Sequence, residues 1–311
     1  MKAITSLLLS ILLSSLSFAQ AGKDPYDKAL QLLDEGKYDA ALRQVNQLIE
    51  KEPSNALYYD LRAAVRLKLK DVVKALDDHN RAIALEPANP LLYGHRATYF
   101  YATMQADDAI EDNNTALKFI TNDTLRYTII SNRGNAKALK RDFKGAYEDY
   151  SLALQFDSNN IAALTNMGAV LDELGRGDDA IPLFEKVIRL DPKFVGGYGN
   201  LAFRYAQKGE YEKALALNNK VLELDPNEAL GYNNRGYVKM KLNDFDGALK
   251  DINTSLRLYE TNPYAYRNRA LVYLALRQVN KACADLKKAV EYGFTEVYGE
   301  EVGELIKKHC K

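Results

Sequence analysis

Alanine recurs at Ala41, Ala75, Ala109, Ala146, Ala180, Ala214, Ala248 and Ala282, in steps of 34 residues broken once by a step of 37. A period of that length is one supersecondary unit, too small to bury its own apolar face, so each unit must stack on its neighbours. The chain of 311 residues is therefore expected to form a linear stack of about eight similar units. The three extra residues fall around Asn122 to Arg126.

With that alanine counted as position 20, position 8 is also small: Ala29, Ala63, Ala97, Gly134, Gly168, Ala202, Gly236 and Ala270. Two small residues twelve apart allow two helices to cross closely. Between them lie short breaks such as Glu35-Gly36-Lys37, Gly175-Arg176-Gly177 and Lys208-Gly209-Glu210, where glycine suits a helix C-cap. Position 11 carries Leu32, Phe100, Leu171, Tyr205 and Tyr273, and position 17 carries Tyr38, Phe143, Tyr211 and Phe245. Apolar residues thus recur at helical spacing on one stripe of each helix. Proline at Pro53, Pro87, Pro192 and Pro226 stands where the second helix must stop. Pro182, early in a second helix, is tolerated because first-turn amides have no intrahelical partner.

This helix, turn, helix pattern resembles the tetratricopeptide repeat over about residues 22 to 292. The resemblance implies an all-α, right-handed α-solenoid of eight hairpins: 22–55, 56–89, 90–123, 127–160, 161–194, 195–228, 229–262 and 263–292. Repeat 1 is the weakest match, since Pro25 and Lys28 replace bulky residues in its first helix. Residues 293–311 are read as a capping helix, with one amphipathic stretch from Thr295 to Lys311. It presents Tyr298, Val302, Leu305 and Ile306 inward and Glu300, Glu301, Lys307 and Lys308 outward, as a terminal lid requires. From Cys283 to Cys310 the sequence resembles the endings of exported bacterial tetratricopeptide proteins.

Position 7 is arginine in five repeats, Arg62, Arg96, Arg133, Arg235 and Arg269, and position 23 of the same repeats is aspartate: Asp78, Asp112, Asp149, Asp251 and Asp285. Two other repeats carry Met167 with Leu183 and Leu201 with Leu217, so the two positions change together. A largely buried ion pair predicts such a swap, because losing one partner strands a charge while replacing both can be neutral. The pairing could lie within a repeat or reach the next one.

Position 6 is Asn132, Asn166, Asn200, Asn234 and Asn268, with Leu61 and His95 in repeats 2 and 3. In tetratricopeptide arrays the first helices line a concave groove, and the resemblance places these asparagines there. The same face adds Asn135, Phe203, Tyr237, Asn233, Arg267 and Tyr264. A carboxamide both donates and accepts, so a ladder of them can hold the backbone of an extended peptide. The alternative is that the asparagines bond neighbouring helices. The 21 tyrosines divide in the same way between an amphipathic surface and helix packing.

The first 19 residues differ in kind. Lys2, the apolar run Leu7 to Leu16 and the small residues of Ser17-Phe18-Ala19 read as a signal peptide cut after Ala19, followed at once by Gly22-Lys23-Asp24. Export to the periplasm or outside the cell is the expectation, with no membrane anchor left after cleavage. In such an oxidising space the two cysteines, Cys283 and Cys310, suit a disulfide, with two free thiols as the alternative.

Lys plus Arg and Asp plus Glu each number 42, which leaves no charge surplus to drive nucleic-acid binding. His79, His95 and His309 lack metal-ligand spacing, and no nucleophile motif or phosphate-cradling loop is present, so neither metal nor cofactor is expected. Arg176-Gly177-Asp178 spells a cell-attachment tripeptide but lies where each repeat needs a turn. The expected function is a non-catalytic scaffold binding a protein or peptide; a chaperone-like or envelope-assembly factor acting on client polypeptides is the alternative.

Overall fold

A computed structural model describes residues 24–295 and 299–310. The expected signal peptide lies outside the described residues, as do Tyr298 and Lys311. The described residues form seventeen α-helices and no strand, divided into two units at Ser158 and Asn159.

The first unit holds four hairpins: α1 (Pro25–Asp34) with α2 (Tyr38–Lys51), α3 (Ala56–Lys68) with α4 (Val72–Leu85), α5 (Pro90–Ala102) with α6 (Ala106–Phe119), and α7 (Asp123–Leu139) with α8 (Phe143–Phe156). The second unit pairs α9 (Ile161–Glu173) with α10 (Ile181–Leu190), α11 (Val195–Gln207) with α12 (Tyr211–Leu224), α13 (Ala229–Lys241) with α14 (Phe245–Leu258), and α15 (Pro263–Ala275) with α16 (Val279–Glu291), and ends in α17 (Glu301–His309).

Local chemistry sets the helix ends. Asn55, Asn89, Asn122, Asn160 and Asn262 each accept a first-turn backbone N–H at the start of α3, α5, α7, α9 and α15, satisfying a donor that has no intrahelical partner. Every first helix ends on a left-handed residue. Gly36, Gly175 and Gly209 supply it in three hairpins, whereas Lys70, Met104, Arg141, Asn243 and Arg277 adopt φ between 58° and 66° in the others. The next N–H then reaches back over the turn, as from Lys37 to the Leu32 carbonyl and from Asp142 to the Lys137 carbonyl, both at 2.9 Å. Pro182 sits at the start of α10, just after a 3-10 turn over Gly177–Ala180.

The small residues of positions 8 and 20 lie at the helix crossings, and position 24 sets how small they must be. A Cβ on Gly168 would stand 2.5 Å from the Phe184 ring, so the aromatic residue there requires glycine opposite. Each core is shared only between neighbours. In the first unit Ala29, Ala41, Val45, Leu61 and Val65 form one cluster and Ala63, Ala75 and Tyr99 another. In the second, Ile252, Leu286, Phe294 and Val302 belong to one cluster that runs on into the lid.

The lid is not one continuous helix from Thr295. Phe294 and Thr295 are helical, Gly299 takes φ 84° and breaks the helical path, and α17 runs from Glu301. Val302 is fully buried, with Leu305 and Ile306 packed beside it. A disulfide joins Cys283 of α16 to Cys310, with Cα atoms 5.7 Å apart. The sequence separation of 27 corresponds to about 3 kcal/mol on the chain-entropy model.

Candidate partner-binding groove

The five arginines at position 7 each hold the aspartate of their own hairpin through two parallel hydrogen bonds. Arg235 Nε and Nη2 donate to Asp251 Oδ2 and Oδ1 at 2.7 and 2.8 Å, and Arg62–Asp78, Arg96–Asp112, Arg133–Asp149 and Arg269–Asp285 repeat the geometry. The third arm, Nη1, donates to an asparagine of the preceding hairpin: Asn46, Asn80, Asn114, Asn219 or Asn253. These asparagines stand at position 25, and sequence reasoning missed them. Their signal was present, since the repeats preceding Met167 and Leu201 carry Ser151 and Glu185 there.

Burial disfavours the Asp251 charge, but Arg235 and Lys239 overcome it and hold the carboxyl below its usual range. The partner Arg235 is correspondingly raised by its hydrogen bonds to Asp251. In the repeats without this pair, Arg204 reaches Asp172 at 2.5 Å and Lys208 reaches Asp178 at 3.3 Å, joining α11 to the preceding hairpin. The Arg204 guanidinium occupies the space a Cβ on Gly177 would need, and Arg176 bonds Asp179, so the Arg176-Gly177-Asp178 turn is tied into the framework.

The position-6 asparagines are not alike in burial. Asn268 is 1% exposed and donates to Asn233 Oδ1 at 2.9 Å, and Asn233, equally buried, donates on to Asn234 Oδ1 at 3.4 Å. Asn268 and Asn233 therefore join α15 to α13, and Asn233 is held in that link rather than in the groove. Asn135 is likewise corrected, because it is buried and accepts the Tyr150 hydroxyl at 2.7 Å within its own hairpin. Opposite Asn132 and Asn234 the preceding position 5 is glycine, Gly94 and Gly199, which has no side chain to bond. Asn132, Asn166, Asn200 and Asn234 are half-buried.

Six of the expected groove residues, Phe203, Asn234, Tyr237, Tyr264, Arg267 and Asn268, line one cleft in the second unit, over α11, α13 and α15. Asn218 of α12 also lines it. Its Nδ2 donates to the Ala214 carbonyl at 2.9 Å while its buried Oδ1 has no hydrogen-bond partner. Phe203 is 40% exposed, an apolar wall open to a ligand. Arg267 bonds both carboxylate oxygens of Glu301, whose side chain is 48% exposed, so this outward glutamate also ties the lid to α15.

Family models described as tetratricopeptide repeat match residues 26–90, 173–233 and 233–293, more than half of the chain. This chain belongs to the tetratricopeptide repeat family. Among relatives, the Hsp70-Hsp90 organizing protein 1 of Glycine max is 36% identical over 75 residues, 24% of this chain and 13% of that protein. The Hsp70-Hsp90 organizing protein of Triticum aestivum is 40% identical over 55 residues, 18% of this chain and 10% of that protein. The chain thus spans a small part of these relatives. Among solved structures, a tetratricopeptide repeat protein from Parabacteroides merdae gives a TM-score of 0.66 at 23% identity, covering 86% of this chain and 99% of that one. The Cut9–Hcn1 hetero-tetramer of the APC/C gives 0.67 at 18% identity, covering 92% and 55%. Both show the fold.

Many of the tyrosines of this tetratricopeptide repeat chain are framework. At position 4, Tyr59, Tyr93 and Tyr198 donate to the carbonyls of Pro53, Pro87 and Pro192, and the arginines Arg62, Arg96, Arg235 and Arg269 lie over Tyr59, Tyr93, Tyr232 and Tyr266. The first unit carries a further cluster. Asp60 bonds His79 Nδ1 at 3.1 Å and His95 Nδ1 at 2.5 Å, so His95 at position 6 makes the same cross-helix link that Asn268 makes. Burial opposes both charges, yet their mutual attraction lowers Asp60 and raises His95. Burial and the charge of Asp60 push the nearby Tyr26 hydroxyl up to about 12. Among the described residues no group of three or more His, Cys, Asp or Glu is placed to hold a metal, and no helix is long and apolar enough to cross a membrane.

Proposed function

We propose that this chain is a non-catalytic scaffold that binds a protein or extended peptide in the cleft of its second unit, in an exported compartment. The observation that carries the reading is the convergence of Phe203, Tyr237 and Tyr264 with the carboxamide of Asn234 in one open cleft. Aromatic walls supply apolar contact area, and an amide that donates and accepts can hold a backbone without reading its sequence. The shifted ionisable groups support a structural role, since Asp60, His95, Arg235 and Asp251 are held in pairs that join helices. Export is supported by the signal-like first 19 residues and by the disulfide, which suits an oxidising space.

A chaperone-like role on client polypeptides is the second reading, favoured by the partial likeness to Hsp70-Hsp90 organizing proteins. Arrays of short synthetic peptides probed with the purified chain test both. Binding that falls roughly tenfold in Phe203→Ser and Tyr237→Ala, with an unchanged melting temperature, supports the cleft. Binding unaffected by both substitutions overturns it, and broad binding without a shared sequence pattern favours the client-binding role.

A further inference from the structure

The guanidinium groups bordering the cleft are both neutralised by carboxylates from beside it. Arg267, with a side chain 14% exposed, holds Glu301 of α17 through Nε and Nη2 and donates Nη1 to Asn268 Oδ1 at 2.8 Å. Arg204 lies 4.8 Å from the Phe203 ring and is paired with Asp172. Lys241, exposed, stands with its ammonium 5.5 Å from the Tyr237 ring.

An acidic partner that sought Arg267 would have to displace Glu301, exchanging one carboxylate for another and leaving Glu301 without its counter-charge. That exchange brings little Coulomb gain and acts as a barrier against acidic partners. A neutral segment meets no such barrier. It can lay an apolar side chain against Phe203 and Tyr237.

We propose that the cleft takes an uncharged, apolar or aromatic polypeptide segment, and that Glu301 on the lid sets this choice by occupying the charge of Arg267. The proposal rests on the peptide-binding reading and names the partner's charge. The test uses the full chain and synthetic peptides sharing a central Leu-Tyr pair, flanked by Gln, Glu or Lys, with binding read by fluorescence anisotropy at low salt. The wild type binds the Gln-flanked peptide roughly tenfold more tightly than the Glu-flanked one. Glu301→Gln gains roughly tenfold for the Glu-flanked peptide and leaves the Gln-flanked one within about twofold. Adding Arg267→Gln removes that gain, and circular dichroism verifies that each variant is folded. A wild type that prefers the acidic peptide, or a Glu301→Gln variant that binds with an unchanged charge preference, overturns the proposal while leaving peptide binding intact. Absence of binding to every peptide by every folded variant overturns the peptide-binding reading itself, and this proposal with it.

Discussion

Arg269→Leu should be among the costliest single changes in the framework, and its cost should vanish when Asp285→Leu is added. The Asp285 side chain is 7% exposed, and among the described residues Arg269 is its one ion-pair partner. Removing the guanidinium strands a buried carboxylate at a cost of about 3 to 5 kcal/mol. The double leucine leaves no charge behind and reproduces Leu201 with Leu217 of the sixth repeat, so it should lie within about 1 kcal/mol of wild type. The bond lost to Asn253 matters little, because that asparagine is exposed and water can replace the donor. Arg235→Leu supplies an internal control. Asp251 keeps Lys239 at 2.8 Å, a charged hydrogen bond that should reduce the loss by about 1.5 to 3 kcal/mol. Urea unfolding followed by far-ultraviolet circular dichroism, with the denaturant slope unchanged, reads all three. The reasoning is refuted if Arg269→Leu costs no more than the double variant, or if Arg235→Leu costs as much as Arg269→Leu.

Three further outcomes follow from the geometry. Lys70→Gly should stabilise the chain by about 1 kcal/mol, since φ 63° burdens a side chain that glycine lacks, whereas Gly209→Ala at φ 78° should cost a similar amount; thermal unfolding reads both. Gly168→Ala should cost about 1 to 3 kcal/mol through its clash with Phe184, and Phe184→Leu in the same chain should recover part of the loss. The Asp60–His95 pair makes stability depend on pH. His95 is raised in the fold, so its contribution is complete below its unfolded value near 6.5 and is lost as pH rises through the folded one. Asp60 is lowered, so its contribution is complete above 3.8 and is lost as pH falls through the folded value. The pair should therefore help most between those values, and His95→Asn should flatten the melting temperature across neutral pH.

The period of small residues made the hairpins legible, because helix crossings tolerate little variation at the contact. The turns were half legible. Glycine marks three left-handed residues, while Lys70, Met104 and Arg277 carry no residue-type signal for the same φ. The Arg–Asp pairs could be read because two positions change together, and the linking asparagines such as Asn219 obey the same rule one repeat earlier. The groove was harder. Adjacent residues on a helix differ by about 100° in direction, so one helix cannot show whether position 5 or 6 meets its neighbour. That ambiguity put Asn233 in the groove, whereas it is buried and accepts from Asn268. Glu301 lies beyond the last period, where no register could point it at Arg267.

The arginine that spans two hairpins imposes a grammar on the chain. A repeat with Arg at position 7 and Asp at 23 stands after one with Asn at position 25, as Asn219 precedes Arg235 and Asn253 precedes Arg269. Duplicating the seventh repeat would copy a compatible junction on both sides. Placing it after the fifth, which offers Glu185, would exchange the amide oxygen that accepts from the third arm for a charged carboxylate. Gene duplication within the asparagine-bearing repeats therefore copies the neutral link unchanged, whereas a junction across the two kinds of repeat converts it into a second ion pair.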